Sequence, residues 1–181
     1  RVVSFETDEG TWMSLDVSPD SSTIIFDLLG DIYTLNFNGG QAQQITSGMA
    51  FDSQPAFSPD GKKIAFISDR SGSENLWVAN PDGTNARQLS KAITKAFVSP
   101  TWSVDGENIF VSQFTSQLYP SANLYSHLWM YHRNGGSGIQ LTGKSPETRG
   151  TNSLGSAVTA DGKYIYYSTH KGTYPKYSGK W

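Results

Sequence analysis

Cysteine does not occur in the 181 residues of this chain, so a disulfide framework and a thiolate metal site are both excluded, and thiols say nothing about redox compartment. Charge is sparse too: Asp, Glu, Lys and Arg make up 17% of residues, the formal net charge is −2 and the pI is near 5.9. A nucleic-acid binder needs a basic stripe to neutralise phosphates, and this balance does not supply one. No apolar run approaches the roughly 20 residues of a membrane-spanning helix, so membrane insertion is not expected. Residues 1–15 carry Glu6, Asp8 and Glu9 where a secretory leader would have its apolar stretch. The expectation is a chain that begins after a cleaved leader or inside a longer protein. Helical periodicity is missing as well.

What the chain has is turn chemistry between short apolar runs, with 18 glycines, 8 prolines and 13% aromatic residues. One turn recurs four times: Ser18-Pro19-Asp20, Ser58-Pro59-Asp60-Gly61, Ser103-Val104-Asp105-Gly106 and Thr159-Ala160-Asp161-Gly162. Proline presets φ for a turn, aspartate bonds back to its own backbone, and glycine supplies the positive φ that closes a hairpin. Ser21 stands where the other three copies have glycine, so the first turn is expected to be strained or differently shaped.

The copies recur at roughly 40 to 55 residues, the period of propeller blades built from short strands. Within each period the same order of runs returns. In the second copy these are Pro55-Ala56-Phe57, Ile64-Ala65-Phe66-Ile67, Leu76-Trp77-Val78 and Arg87-Gln88-Leu89-Ser90. The pattern predicts an all-β fold, a partial β-propeller of about three complete four-stranded blades plus an incomplete fourth. The blades are expected at about 12–46, 53–90 and 98–142, with a partial fourth at about 153–181 and an edge strand or lead-in at 1–11. Tyr33, Trp77 and Trp129 hold equivalent positions, which points to core aromatics between blades. The spacing from turn aspartate to that aromatic grows from blade to blade, and all the growth falls between second and third strands. In blade 3 this is the stretch from Phe114 to Ser126, an interaction loop or an indifferent insertion.

The second copy, from Gln54 through Asp69-Arg70-Ser71-Gly72 to Arg87-Gln88-Leu89-Ser90, resembles the repeat of TolB-type propellers over a whole blade, and weaker copies span nearly the entire chain. Such propellers occur in periplasmic TolB proteins, in tricorn-like and prolyl-oligopeptidase-type peptidases, and in front of large secreted amidohydrolases. The opening segment from Thr7 to Asp20, with Ile25 to Tyr33, looks like the first blade of the propeller preceding those amidohydrolase barrels. The resemblance implies a periplasmic or secreted location and a non-catalytic scaffold or interaction segment of an exported amidohydrolase-like protein. The other implied role is a TolB-like adaptor that binds a protein or peptide at the funnel of the propeller.

Catalytic signals are not found. Only His127, His132 and His170 occur, and the first two, five apart on one strand, point to opposite faces. No metal site, cofactor or catalytic residue is expected. No Gly-x-Ser-x-Gly elbow is present, and Gly135-Gly136-Ser137-Gly138 lacks the lysine and following helix of a phosphate loop. Asp69 and Arg70 are expected to form a local ion pair. Candidate binding residues come from the loops leading into the innermost strands: Phe51, Asp52, Gln54, Arg149 and Asn152. They depart from the repeat, so blade packing is not expected to require them. The partner expected is a protein, a peptide or the remainder of a longer parent chain. Open blade edges also predict self-association into a dimer or larger by β-augmentation.

Overall fold

The computed structural model describes residues 6–93, 95–114, 125–144 and 151–171. These contain fourteen strands and no helix. Blade 1 comprises β1 (Leu15–Val17), β2 (Thr23–Leu28), β3 (Asp31–Asn36) and β4 (Gln43–Gln44). Blade 2 comprises β5 (Asp52–Phe57), β6 (Ile64–Ser68), β7 (Asn75–Ala79) and β8 (Arg87–Gln88). Blade 3 comprises β9 (Phe97–Trp102), β10 (Asn108–Phe114), β11 (Ser126–His132) and β12 (Ile139–Gln140). The fourth sheet pairs β13 (Thr151–Val158) with β14 (Ile165–Lys171). All pairs are antiparallel and neighbours follow chain order.

Side chains alternate across each sheet, so blade 2 buries one face on blade 1 and the other on blade 3. Ile64, Phe66 and Ala79 of blade 2 join Ile25 and Ile32 of blade 1, with Trp77 packed against them. On the opposite face Ala65, Ile67, Leu76 and Val78 meet Phe97, Trp102, Ile109 and Tyr131 of blade 3, and Trp129 packs on that cluster. Trp77 and Trp129 therefore sit between blades. Tyr33 instead stacks on Phe26 of its own blade, with ring centroids 5.7 Å apart.

The antiparallel order sorts the connections onto two ends. First-to-second and third-to-fourth turns lie at one, the turn end. Second-to-third turns and the loops joining blades lie at the other, the loop end. At the turn end, the Ser or Thr hydroxyl donates to the aspartate two residues on, at 2.6 Å in Ser18–Asp20, Ser58–Asp60 and Thr159–Asp161 and 2.5 Å in Ser103–Asp105. The same hydroxyl accepts an amide five residues on, from Thr23, Lys63, Asn108 and Tyr164. Ser21 has φ 58°, against 67–69° for Gly61, Gly106 and Gly162. Its turn keeps the common shape, so the expectation of a different one is not met; the departure is confined to a left-handed backbone on a residue with a side chain.

The fourth strands are two residues long and are clasped by one hydroxyl each. Thr46, Ser90 and Thr142 accept the amides of Ile32, Leu76 and Leu128 at 2.8, 2.9 and 2.9 Å.

Two predictions follow from the turns. Ser21→Gly relieves a left-handed conformation and should raise stability by roughly 0.5–1 kcal/mol; a urea midpoint that stays put or falls would refute this. Asp20, Asp60, Asp105 and Asp161 are held below the ordinary aspartate range, first by the Ser or Thr hydroxyl. A lowered folded pKa means that the unfolded chain takes up protons first on acidification. That stabilisation is whole above about pH 4 and is lost as pH falls through the folded values. Asp60→Asn should flatten the loss of stability below pH 4, measured by denaturation at a series of pH values, whereas a slope equal to wild type would show that the turn carboxyls do not drive it.

Candidate functional site

The innermost strands β5, β9 and β13 each carry a bulge at the same place, marked by register shifts at Ser53/Ala56, opposite Phe110/Ser112, and at Leu154/Ser156. The bulged residues Gln54, Ser99 and Gly155 all have positive φ, 55–60°. A bulge takes its amide out of the ladder, and a buried amide needs an acceptor from elsewhere. The preceding blade supplies it each time. Asp27 accepts from Gln54 N at 2.6 Å, Gln54 Oε1 accepts from Ser99 N at 2.6 Å, and Ser112 Oγ accepts from Gly155 N at 3.1 Å. Asp27 also accepts from Ser14 N at 2.8 Å, which ties the lead-in of β1 to the same joint. Further toward the turn end, Asp16 accepts from Phe57 N at 2.7 Å, and Thr101 donates to the Ser156 carbonyl at 2.9 Å.

These joints absorb most of the residues singled out from the sequence. Gln54 spends its amide and its side-chain oxygen on neighbouring blades. Asp52 is 1% exposed and pairs with Arg70 at 2.6 Å. The expected Asp69–Arg70 pair is therefore replaced: in the turn that follows β6, Arg70 bonds to Ser68 Oγ and to Asp52, and Asp69 accepts the Phe51 amide at 2.8 Å. The Arg70 guanidinium also lies over the rings of Phe66 and Trp77, 5.1 Å from each centroid. Asn152 is buried and accepts from Ser126 N at 2.8 Å, so it ties blade 4 to β11. Arg149 lies outside the described residues, as does most of the Phe114–Ser126 stretch.

Phe51 is different. It is exposed, its ring lies against Gly30, and it stands at the loop end beside Met49. Trp12, Leu29 and Ile93 are also exposed large apolar residues on loop-end connections. Sequence reasoning did not single out Trp12, Leu29, Met49 or Ile93, although each is a large apolar residue outside the strands, and that was the available signal. Nearby, the Asp31 carboxyl is raised above the usual range by desolvation and then by the charge of Asp52, and Gln44 donates to it at 2.9 Å. Among the described residues no three His, Asp or Glu side chains gather as a metal site would require. Burial lowers the pKa of His127, while His132 lies 3.5 Å from Glu107.

The joints can be ranked by what each acceptor serves. Asp27→Ala orphans two amides and should cost about 2–4 kcal/mol, and Gln54→Met orphans one and should cost about 1–3 kcal/mol. Chemical denaturation that ranks them in reverse, or finds either neutral, would show that the bulge amides do not need these partners.

Relatives agree with this geometry over parts of their length. The uncharacterized peptidase YuxL of Bacillus subtilis (strain 168) is 38% identical over 88 residues, covering 45% of this chain and 13% of the relative. The uncharacterized protein Atu1656 of Agrobacterium fabrum is 31% identical over 100 residues, covering 52% and 34%. A TolB homolog of Chlorobium luteolum is 36% identical over 58 residues, covering 32% and 13%. The chain thus spans a minor part of each relative's length. In solved structures, TolB from Acinetobacter baumannii superposes with a TM-score of 0.67 at 21% identity, over 88% of this chain and 38% of that one. Puromycin hydrolase gives 0.66 at 16% identity, over 91% and 26%. At such identities the likeness is one of fold. Residues 16–179 match the tricorn protease N-terminal beta propeller domain, and the chain belongs to that family.

Proposed function

We propose that this propeller is a non-catalytic scaffold or interaction segment of an exported amidohydrolase-like protein, with its loop end turned toward the part of the parent that does the chemistry. The observation that supports this reading is what remains at that end once the joints are made. Gln54 and Asn152 are committed to holding blades together and Asp52 to its pair with Arg70 inside blade 2, while Trp12, Leu29, Met49, Phe51 and Ile93 stay exposed. Exposed apolar groups on these connections offer a contact surface rather than a reaction centre, although Phe37, Val104 and Tyr164 are exposed at the turn end as well. Phe51 is the proposed central contact, and Arg149 is a proposed polar contact. Export and a periplasmic or secreted address rest on the resemblance to TolB-type propellers.

A second reading is favoured by the similarity to the TolB homolog: an adaptor whose loop end captures a separate protein or peptide. A photo-cross-linking amino acid at position 51 of the intact protein in its native host separates the two. Capture of a downstream part of the same polypeptide is expected. Capture of a second polypeptide would favour the adaptor, and no cross-link above that of a probe at exposed Lys62 would overturn both.

A further inference from the structure

The seams between blades are not alike at their outer rim. Between blades 1 and 2 the hairpin of blade 2 rests directly on the outer strand of blade 1, since a side chain at Gly83 would collide with the Ile45 carbonyl. Between blades 2 and 3 the corresponding hairpin stands off. A side chain at Gly136 would meet nothing, and one at Gly135 would meet only the Arg87 guanidinium. That guanidinium bridges the gap by donating to the Arg133 carbonyl. The result is a groove of about 780 Å³ between the outer strand of blade 2 and the face of blade 3. It runs from the hairpin at 134–137, at the turn end, to Lys91, Ala92, Ile93 and Lys95, at the loop end.

Three features of the lining define what fits. Leu89, Ile93, Trp129 and Tyr131 give it an apolar floor, and burial pushes the Tyr131 phenol up to about 12, so no negative charge arises there. Arg87, Lys91 and Lys95 line it with no Asp or Glu among the lining residues, and none of the three has a carboxylate partner among the described residues. Lys95 lies over the Trp129 ring at 5.3 Å. Gln113, also in the lining, is 4% exposed and its Oε1 has no hydrogen-bond partner. A buried amide oxygen without a donor is destabilising, and an occupant bearing an N–H relieves it.

We propose that this groove binds an acidic peptide segment in an extended conformation. A peptide meets the three requirements together: carboxylates for the unpaired cations, apolar side chains for the floor, and a backbone N–H for Gln113. A simple anion supplies only the first. The chain's own residues 115–124, which follow Gln113 closely, contain no Asp or Glu, so charge complementarity favours a partner over that segment. The groove shares Ile93 with the loop-end surface, but the cations, Trp129, Tyr131 and Gln113 that define it are no part of that surface.

The test is fluorescence anisotropy of a fluorescein-labelled octapeptide of alternating Glu and Leu titrated with the intact protein, against the same peptide with Lys in place of Glu. The acidic peptide should bind, with affinity falling as salt is raised, and the basic one should not. Lys91→Glu with Lys95→Glu, both exposed, should weaken binding at least about tenfold, while Lys62→Glu on a distant turn should leave it unchanged. Gln113→Met should weaken binding by about three- to tenfold while holding or raising the melting temperature, because it removes an unpaired buried acceptor. Equal binding of both peptides, no binding, or indifference to Gln113→Met and to the double reversal would overturn the proposal. So would tighter binding of polygalacturonate than of the peptide at equal carboxylate concentration, which would assign the groove to acidic sugars.

Discussion

Every blade after the first has one backbone amide that its own sheet cannot use, and the blade before it provides the acceptor. The three acceptors are a carboxylate, a carboxamide and a hydroxyl: Asp27, Gln54 and Ser112. An unpaired buried amide costs about as much as the whole net gain of one or two ordinary hydrogen bonds, so blades cannot slide along one another without losing it. Apolar packing between sheets is non-directional and tolerates small shifts. The joint supplies the direction, and with it the fixed relation of each inner strand to the next.

How much of this was legible follows from the distance between partners. The Ser-x-Asp turns could be read because donor and acceptor are two residues apart and the motif recurs intact. The blade order and the core position of Trp77 and Trp129 followed from recurrence in the same way. The joints could not be read, because Gln54 serves Ser99, 45 residues away on another blade. Departure from the repeat was taken as freedom from packing, and at Gln54 that inference fails for a physical reason. In the repeat, Ile67 stands where Asp27 and Ser112 stand in their blades, and an isoleucine accepts no hydrogen bond. Gln54 takes over that duty, so its deviation compensates for a neighbour's.

Arg70 shows the same logic in charge. Its sequence neighbour Asp69 looks like the natural partner, but Asp69 is taken up by the Phe51 amide, and Asp52, paired with Ser68 across the sheet, is the carboxylate within reach. Asp52 is almost fully buried, so removing Arg70 would leave an uncompensated charge. The apparent binding pair is thereby a clamp. It holds the entry of β5, and Phe51, one residue earlier, is presented outward by that fixed backbone.

Constraint therefore falls off along the radius. Inner strands are tied by side-chain-to-amide bonds that permit little change, whereas each outer strand pairs through two residues and one hydroxyl clasp. An outer strand can move, or its hairpin lengthen, without disturbing any joint near the axis. That is why one seam closes on Gly83 while its neighbour stands open beside Trp129 with the same inner geometry. A fold tied at its centre and loose at its rim can acquire a binding groove at the rim at little cost in stability, and the polar residues that a funnel site would need are the ones already committed to the joints.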